Sequence, residues 1–271
     1  MTRPGRIAAL YDIHGNVPAL EAVLDEIREE GVEEIVVGGD VLPGPMGSRA
    51  LEMLQSLDTP VRVLRGNGER ETLSVLDGGE PALPTAVVES LRWSAEQLTE
   101  SQVAWLRSWP AVVRLEIEGL GSVLFCHGTP GSDTEILTRL TPGPVAEAAF
   151  KDVEADLVVC GHTHMQFDRG VGEMRVVNAG SVGMPFAPPG AYWVSLDRDV
   201  RLRRTTYPLA EAAERIRRTA YPAAEEFATR DVLAPRSEAE MLAAFEPSPG
   251  RPSAPGPQDA QAPGDSPGGA P

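Results

Sequence analysis

The sequence predicts an α/β protein built on parallel strands. Three observations carry this reading. Short apolar runs alternate with amphipathic stretches at helical spacing over residues 6–64, in the order β-α-β-α-β. The polar residues that follow the three apolar runs, Asp12, Asp40 and Asn67, recur at intervals of 28 and 27 residues, about the length of a βαβ unit. Such units give parallel strands joined by right-handed crossovers.

Residues 6–11 (RIAALY) read as a short buried strand. Residues 16–30 read as a helix, with Pro18 in its first turn, Gly31 after its end and an apolar stripe of Leu20, Val23, Leu24 and Ile27. A strand at 35–37, a helix at 48–57 and a strand at 61–64 complete the rhythm. Residues 69–83 read as irregular and exposed. Helices are predicted near 84–95 and 100–108, the second opened by Thr99 with Gln102 three residues on, the spacing of a capping box. Residues 112–117 and 122–126 read as a hairpin turning at Gly119–Gly121, and 144–151 as a short helix. Strands are predicted at 157–160, 174–177, 191–195 and 201–205, then amphipathic helices at 208–219, 223–229 and 237–245.

Residues 247–271 differ in kind. Thirteen of these 25 are Pro or Gly, and no side chain there is more hydrophobic than alanine. Such a segment buries too little surface to offset its ordering entropy, so the folded domain is expected over 1–246 and a disordered tail over 247–271.

Composition excludes several classes. The formal net charge is −16, from 40 acidic against 24 basic residues, which repels a phosphate backbone and argues against a nucleic-acid surface. Apolar residues make up 42%, enough for a substantial core, yet no run approaches the length that spans a bilayer. The apolar run near the N-terminus ends at Asp12, too early for a signal peptide. Two cysteines, Cys126 and Cys160, form neither a disulfide framework nor a CxxC pair, which suggests a reducing, cytoplasmic setting.

The chain holds only four histidines and three asparagines, and all seven stand in short glycine-flanked motifs between residues 14 and 180. Five fragments carry the chemistry: Asp12-Ile13-His14-Gly15-Asn16, Gly39-Asp40, Gly66-Asn67, His127-Gly128 and Gly161-His162-Thr163-His164. Each follows a predicted strand, where open α/β sheets bind ligands. Asp12 with His14, and His162 with His164, are spaced two apart, so each pair can turn to one side of an extended segment. Imidazole, carboxylate and amide oxygen together suit Mn, Fe, Zn or Ni rather than a calcium cage. Two such ions about 3.5–4 Å apart would need a bridging carboxylate.

The order D-x-H, G-D, G-N, H and G-H-x-H resembles that of the calcineurin-like metallophosphoesterases, over about residues 6–205. The opening IAALYDIHGNVPALEAVL and the later GHTH and NAGSVG resemble small bacterial phosphodiesterases of that superfamily. The resemblance implies a sandwich of two mixed β-sheets flanked by α-helices, with C-terminal helices packed on it. It implies two divalent metal ions: Asp12, His14 and His164 on the first, Asn67, His127 and His162 on the second, and Asp40 bridging both. A hydroxide between the ions would attack phosphorus in line. The implied substrate is a small-molecule or peptide phosphoester, with no membrane partner; the oligomeric state is left open.

The sequence departs from the family at one place. The family form G-N-H-[DE] reads Gly66-Asn67-Gly68-Glu69 here, so the histidine held to protonate the leaving group is absent. A positioned general acid contributes about 10²–10⁴-fold, so esters with good leaving groups, phosphoanhydrides or certain diesters are expected. Glu69 is expected at a surface salt bridge, a stand-in for the missing acid being the other reading. Arg65 stands where the family's protein phosphatases grip substrate phosphate, and a guanidinium fits phosphate in a bidentate way; a solvated charge at a strand end is the other reading. Cys126, Cys160 and the cluster of Trp93, Trp105 and Trp109 are expected in the core. The turn at 178–183 reads as either support for the site or a plain tight turn. A protein phosphatase, a dinucleoside polyphosphate hydrolase and a non-catalytic scaffold are the alternatives, and the complete set of seven ligands disfavours the last.

Overall fold

The computed structural model describes residues 5–245. Its ten strands are β1 (Ile7–Leu10), β2 (Glu34–Val37), β3 (Val61–Val63), β4 (Val112–Ile117), β5 (Gly121–Cys126), β6 (Leu157–Cys160), β7 (Phe167–Val171), β8 (Met174–Asn178), β9 (Ala191–Leu196) and β10 (Val200–Thr205). They form two five-stranded sheets, in the orders β10-β9-β1-β2-β3 and β4-β5-β6-β8-β7. β1, β2 and β3 are parallel, as the 28- and 27-residue intervals require, and β9 joins β1 antiparallel. In the second sheet β5, β6 and β8 are parallel, with β4 and β7 antiparallel at the edges. Both sheets are therefore mixed, and helices flank them.

Strand alternation divides the apolar residues between layers. Ile7, Ala9 and Tyr11 face the second sheet, where they meet Phe125, Val159 and Val177. Ala8 and Leu10 face outward, beneath Leu20 of helix α1 (Val17–Glu29) and Leu51 of α2 (Gly47–Gln55). On the far side, Leu124, Val158 and Val176 pack against Ala146 of α6 (Gly143–Ala149) and Phe150. The Tyr11 hydroxyl donates to the Val159 carbonyl at 2.9 Å, one polar tie across the dry interface between the sheets.

Helix starts follow local chemistry. Asn16 caps α1 through its Oδ1, which accepts from Ala19 N at 3.2 Å. Helix α5 (Glu100–Arg107) begins with the predicted box: Gln102 N donates to Thr99 Oγ1 at 3.3 Å and Thr99 N to Gln102 Oε1 at 3.0 Å. Trp109 is buried, with Trp105 edge-on at 5.0 Å, and Trp93 meets Tyr221 edge-on at 5.3 Å, so the tryptophans serve the core. Cys126 and Cys160 are buried free thiols.

Three expectations need correction. Residues 69–76 are not irregular: helix α3 (Asn67–Leu76) starts at Asn67 itself and buries Glu69, Glu71, Thr72 and Leu73. The motif Gly66-Asn67-Gly68 reads as a turn in sequence because glycine disfavours helix interiors, but here it is a first turn pressed on neighbouring backbone. β7 was not foreseen; only Phe167 and Val171 at its ends are buried, and it pairs along one edge only. The helix expected at 223–229 is α8 (Ala224–Phe227) running into a π-helical turn, Ala228–Leu233. α4 (Thr85–Glu96), α7 (Leu209–Arg217) and α9 (Glu238–Phe245) fall where periodicity placed them. Among the described residues no helix is long and apolar enough to cross a membrane. The domain boundary at 246 and the disordered tail at 247–271 fall outside the described residues.

Phe125 is fully buried between the sheets. Phe125→Ala is expected to lower the unfolding free energy by about 3–5 kcal/mol. Urea denaturation reads this as a lower midpoint with an unchanged m-value; a loss under about 1 kcal/mol would mean this interface is not tightly packed.

Candidate metal centre

All seven predicted ligands converge at the ends of β1, β2, β3, β5 and β6. Asp12, His14, Asp40, His127, His162 and His164 are each at most 1% exposed, and Asn67 is 5% exposed. Two groups stand out: donor atoms of Asp12, His14 and His164 lie within 4.8 Å of one another, as do those of Asp40, His127 and His162. Asn67 joins the second group, its Oδ1 being 3.1 Å from His127 Nε2. Asp40 Oδ2 stands between the groups, 3.8 Å from His14 Nε2 and 3.5 Å from His127 Nε2.

The loops that carry these residues are strained. Six non-glycine residues hold positive φ among the described residues, and five of them are Asp12, His14, Asp40, His162 and His164. Asp and His tolerate the left-handed region better than most, yet such conformations persist only where the surroundings over-determine them. Backbone hydrogen bonds do so here. The pairing of β1 with β2 continues through both loops: Asp12 N donates to Gly39 O at 3.1 Å, His14 N to Asp40 O at 2.9 Å and Gly15 N to Val41 O at 2.9 Å. Gly161 N donates to His127 O at 2.8 Å, and His162 N to Asp12 Oδ2 at 3.0 Å. Gly39 (φ 90°) packs so closely that a Cβ there would meet Gly66 N at 2.5 Å.

The turn at 178–183 supports the site. Asn178 Nδ2 donates to Gly161 O at 2.6 Å and Thr163 Oγ1 at 3.1 Å, bracing the His162–His164 loop. Ser181 Oγ and Gly183 N both donate to Asp12 O, at 2.7 and 3.0 Å.

Glu69 is the residue the sequence reading misplaced. It is fully buried, not at the surface. Its Oε2 accepts from Gly66 N and Asp40 N, both at 2.9 Å, and its Oε1 from Val41 N at 2.7 Å and Leu42 N at 3.1 Å. One carboxylate thereby ties the start of α3 to the loop that presents Asp40. Burial and the neighbouring Asp40 push Glu69 up to about 7, against the pull of the backbone N–H groups. The signal was present as a glutamate three residues after the N-cap position, the spacing of a capping box.

Gly68 also acquires a physical reason. Its N–H donates to Asp40 Oδ1 at 2.7 Å, and a Cβ at this position would lie 2.0 Å from Leu42 O. No histidine fits here without moving the Asp40 loop. Arg65 is half-buried at the end of β3, its N–H donating to Pro110 O at 2.8 Å.

The donor atoms fit metal ions. His14 Nδ1 and His164 Nδ1 face the carbonyls of Pro43 and Met184, at 3.2 and 2.7 Å. A proton on each Nδ1 suits those carbonyls, and the two Nε2 atoms then face one another across the site, 3.2 Å apart. His127 Nδ1 likewise faces Gly38 O at 2.9 Å. Asp12 Oδ1 and His162 Nε2 are buried with no hydrogen-bond partner, the state expected of atoms meant for a ligand.

Electrostatics agree. Burial pushes His14 and His162 down to about 4, helped by neighbouring imidazoles, so both are neutral. Burial opposes ionisation of Asp40 and Asp12, but His127 and His164 respectively outweigh it and hold both carboxyls below their ordinary range. Burial would discharge His127, yet Asp40 beside it raises it to about 10.

Two predictions arise from this geometry. Glu69→Gln puts an amide N–H₂ where only acceptors fit, and is expected to weaken Mn²⁺ binding about 10–100-fold by calorimetry. Unchanged affinity would remove Glu69 from the support of Asp40. Metal entering the site must displace the His127 proton, so binding should strengthen as pH rises from neutrality towards about 10. Calorimetry at pH 7 in buffers of differing ionisation enthalpy should show proton release; none would contradict the assignment of that charge.

Comparisons with known proteins place the chain in a family. The profile of the calcineurin-like phosphoesterase superfamily domain matches residues 6–199. An uncharacterised protein of Methanocaldococcus jannaschii is 26% identical over 231 residues, covering 77% of this chain and 90% of that one. Two crystal structures share the fold. A hypothetical protein of Pyrococcus horikoshii has a TM-score of 0.71 at 24% identity, covering 86% of this chain and 99% of that one. A metallophosphoesterase of Sphaerobacter thermophilus has 0.65 at 24%, covering 84% and 98%. With its ordered donor motifs joined at one end of two mixed sheets, this chain belongs to the calcineurin-like phosphoesterase superfamily.

Proposed function

We propose that the protein hydrolyses a phosphodiester, or another phosphoester with a good leaving group, at a centre of two divalent ions. The single observation behind this is the pair of buried donor groups with the Asp40 carboxylate between them. Asp12, His14 and His164 would hold one ion, Asn67, His127 and His162 the other, with Asp40 reaching both. Mn, Fe, Zn and Ni suit this mixture of imidazole, carboxylate and amide. Such ions supply activation of a water and neutralisation of charge on the phosphoryl oxygens.

The chain's own residues do the rest. Gly68 N holds Asp40 Oδ1, and Glu69 holds the backbone N–H groups of residues 40–42, so Asp40 is oriented before substrate arrives. Arg65, at the end of β3, offers a guanidinium for a phosphoryl oxygen. Leu42 O closes the space where a histidine at position 68 would donate a proton. The substrate must therefore release a group that leaves without strong protonation, which favours aryl or activated diesters over alkyl monoesters. The free buried thiols suit a reducing compartment such as the cytoplasm.

The test is hydrolysis of bis-p-nitrophenyl phosphate with added Mn²⁺. Chelation should abolish it and Mn²⁺ restore it, while Asp40→Asn should lower kcat at least about 10²-fold. Full activity in Asp40→Asn would overturn the proposal.

A further inference from the structure

A cavity of about 100 Å³ opens beside His14, and much of its wall comes from chain beyond the 6–199 span of the family domain. Pro43, Met184 and Phe186 form the side nearest the metal ligands. Tyr221, Phe227 and the π-helical turn, with Arg230 and Asp231, form the side opposite.

The chain beyond the family domain is tied to the centre through Phe186 and Asn16. Phe186 stacks on His164, with ring centroids 5.1 Å apart and planes at 23°. Met241 and Leu242 of α9 pack behind Phe186. Asn16 Nδ2 donates to Tyr207 OH at 3.3 Å as well as to Gly183 O at 2.9 Å, which ties the segment after β10 to both ligand-bearing loops at once. Whatever occupies the cavity is therefore held at a set place relative to a phosphorus at the donor groups.

The lining says what that occupant is. Met184, Phe186, Tyr221 and Phe227 present apolar and aromatic surface. The charged residues balance: Arg230 and Arg236 stand against Glu226 and Asp231, with Arg230 Nη1 3.8 Å from Glu226 Oε1. A second phosphate would meet as many carboxylates as guanidiniums, so the lining does not select an anion. It suits a neutral ring bearing hydrogen-bonding groups. At about 100 Å³, against about 150 Å³ for a dry apolar cavity that holds one benzene, the space takes at most one small ring.

We propose that the C-terminal segment is the specificity wall, which binds a neutral, hydroxyl-bearing ring of the ester substituent, such as the pentose of a nucleoside ester. Asp231 accepts from the ring hydroxyl, and the aromatic side chains cover the ring's faces. This rests on the phosphodiester reading and names the class of substrate for it.

The test compares two esters that release the same p-nitrophenolate, thymidine 5′-p-nitrophenyl phosphate and methyl p-nitrophenyl phosphate, on the full chain with Mn²⁺. The wild type is expected to favour the thymidine ester in kcat/KM by about tenfold or more. Asp231→Ala should raise KM for that ester about five- to tenfold with kcat within about twofold, and leave the methyl ester unchanged. Asp231→Asn, which keeps an acceptor, should recover most of the loss. Arg230→Ala, at an exposed position, should move KM in the same direction and keeps the test readable if Asp231→Ala misfolds. Independently, thymidine should change tryptophan fluorescence saturably in the metal-free protein, since Trp93 packs on Tyr221, and the change should vanish in Asp231→Ala. Equal kcat/KM for the two esters, or equal losses on both in the variants, would overturn the inference. Hydrolysis of neither ester by the wild type would overturn the phosphodiester reading instead, and the thymidine titration would then decide the wall by itself.

Discussion

Two carboxylates and four imidazoles are buried together in one place, and the rest of the structure is arranged around that. Burying such groups is tolerable only where each is paired, hydrogen-bonded or bound to a cation. Without metal the solution is partial. His14 and His162 are neutral, His127 keeps its proton, and Asp12 and Asp40 stay ionised. Asp12 Oδ1 and His162 Nε2 are buried and make no hydrogen bond. A divalent cation resolves what the protein alone leaves open.

Holding those groups in place needs backbone conformations that isolated chains avoid. Five of the donor residues sit at positive φ. The loops are bonded to one another: 12–15 to 39–41, 161–162 to 127 and 12, and 181–183 to 11–12. Glu69 extends this by binding four N–H groups from two segments with one carboxylate. Gly68 is part of the same device, since only a residue without Cβ lets α3 lie against Leu42 O. The glycine that looks like a lost catalytic histidine is thus also a packing requirement, and the chemistry inherits its consequence.

The family domain carries the buried donor groups, and the segment beyond it lines the cavity beside them. Helix α9 packs on Phe186 through Met241 and Leu242, while α8 and the π-helical turn line the cavity beside His14. A π-helical turn inserts an extra residue per turn and so re-aims side chains, here in the stretch that carries Arg230 and Asp231 toward the cavity.

What the sequence determined by itself was the parallel β1-β2-β3 core, from the 28- and 27-residue intervals, and the seven donor residues. Their motifs are local: each is a few residues long and follows a strand, so strand ends and ligand identity could be read together. Tertiary structure decided what depends on residues distant in sequence. Glu69 reads as a surface charge until the loop at 40–42 is laid over it, and residues 69–76 read as irregular until Gly68 is seen against Leu42. β7 has too short a buried pattern to register alone. The cavity beside His14 joins residue 43 to residue 231, and no local pattern encodes such a meeting, because it is set by how the last helices dock on a sandwich already formed.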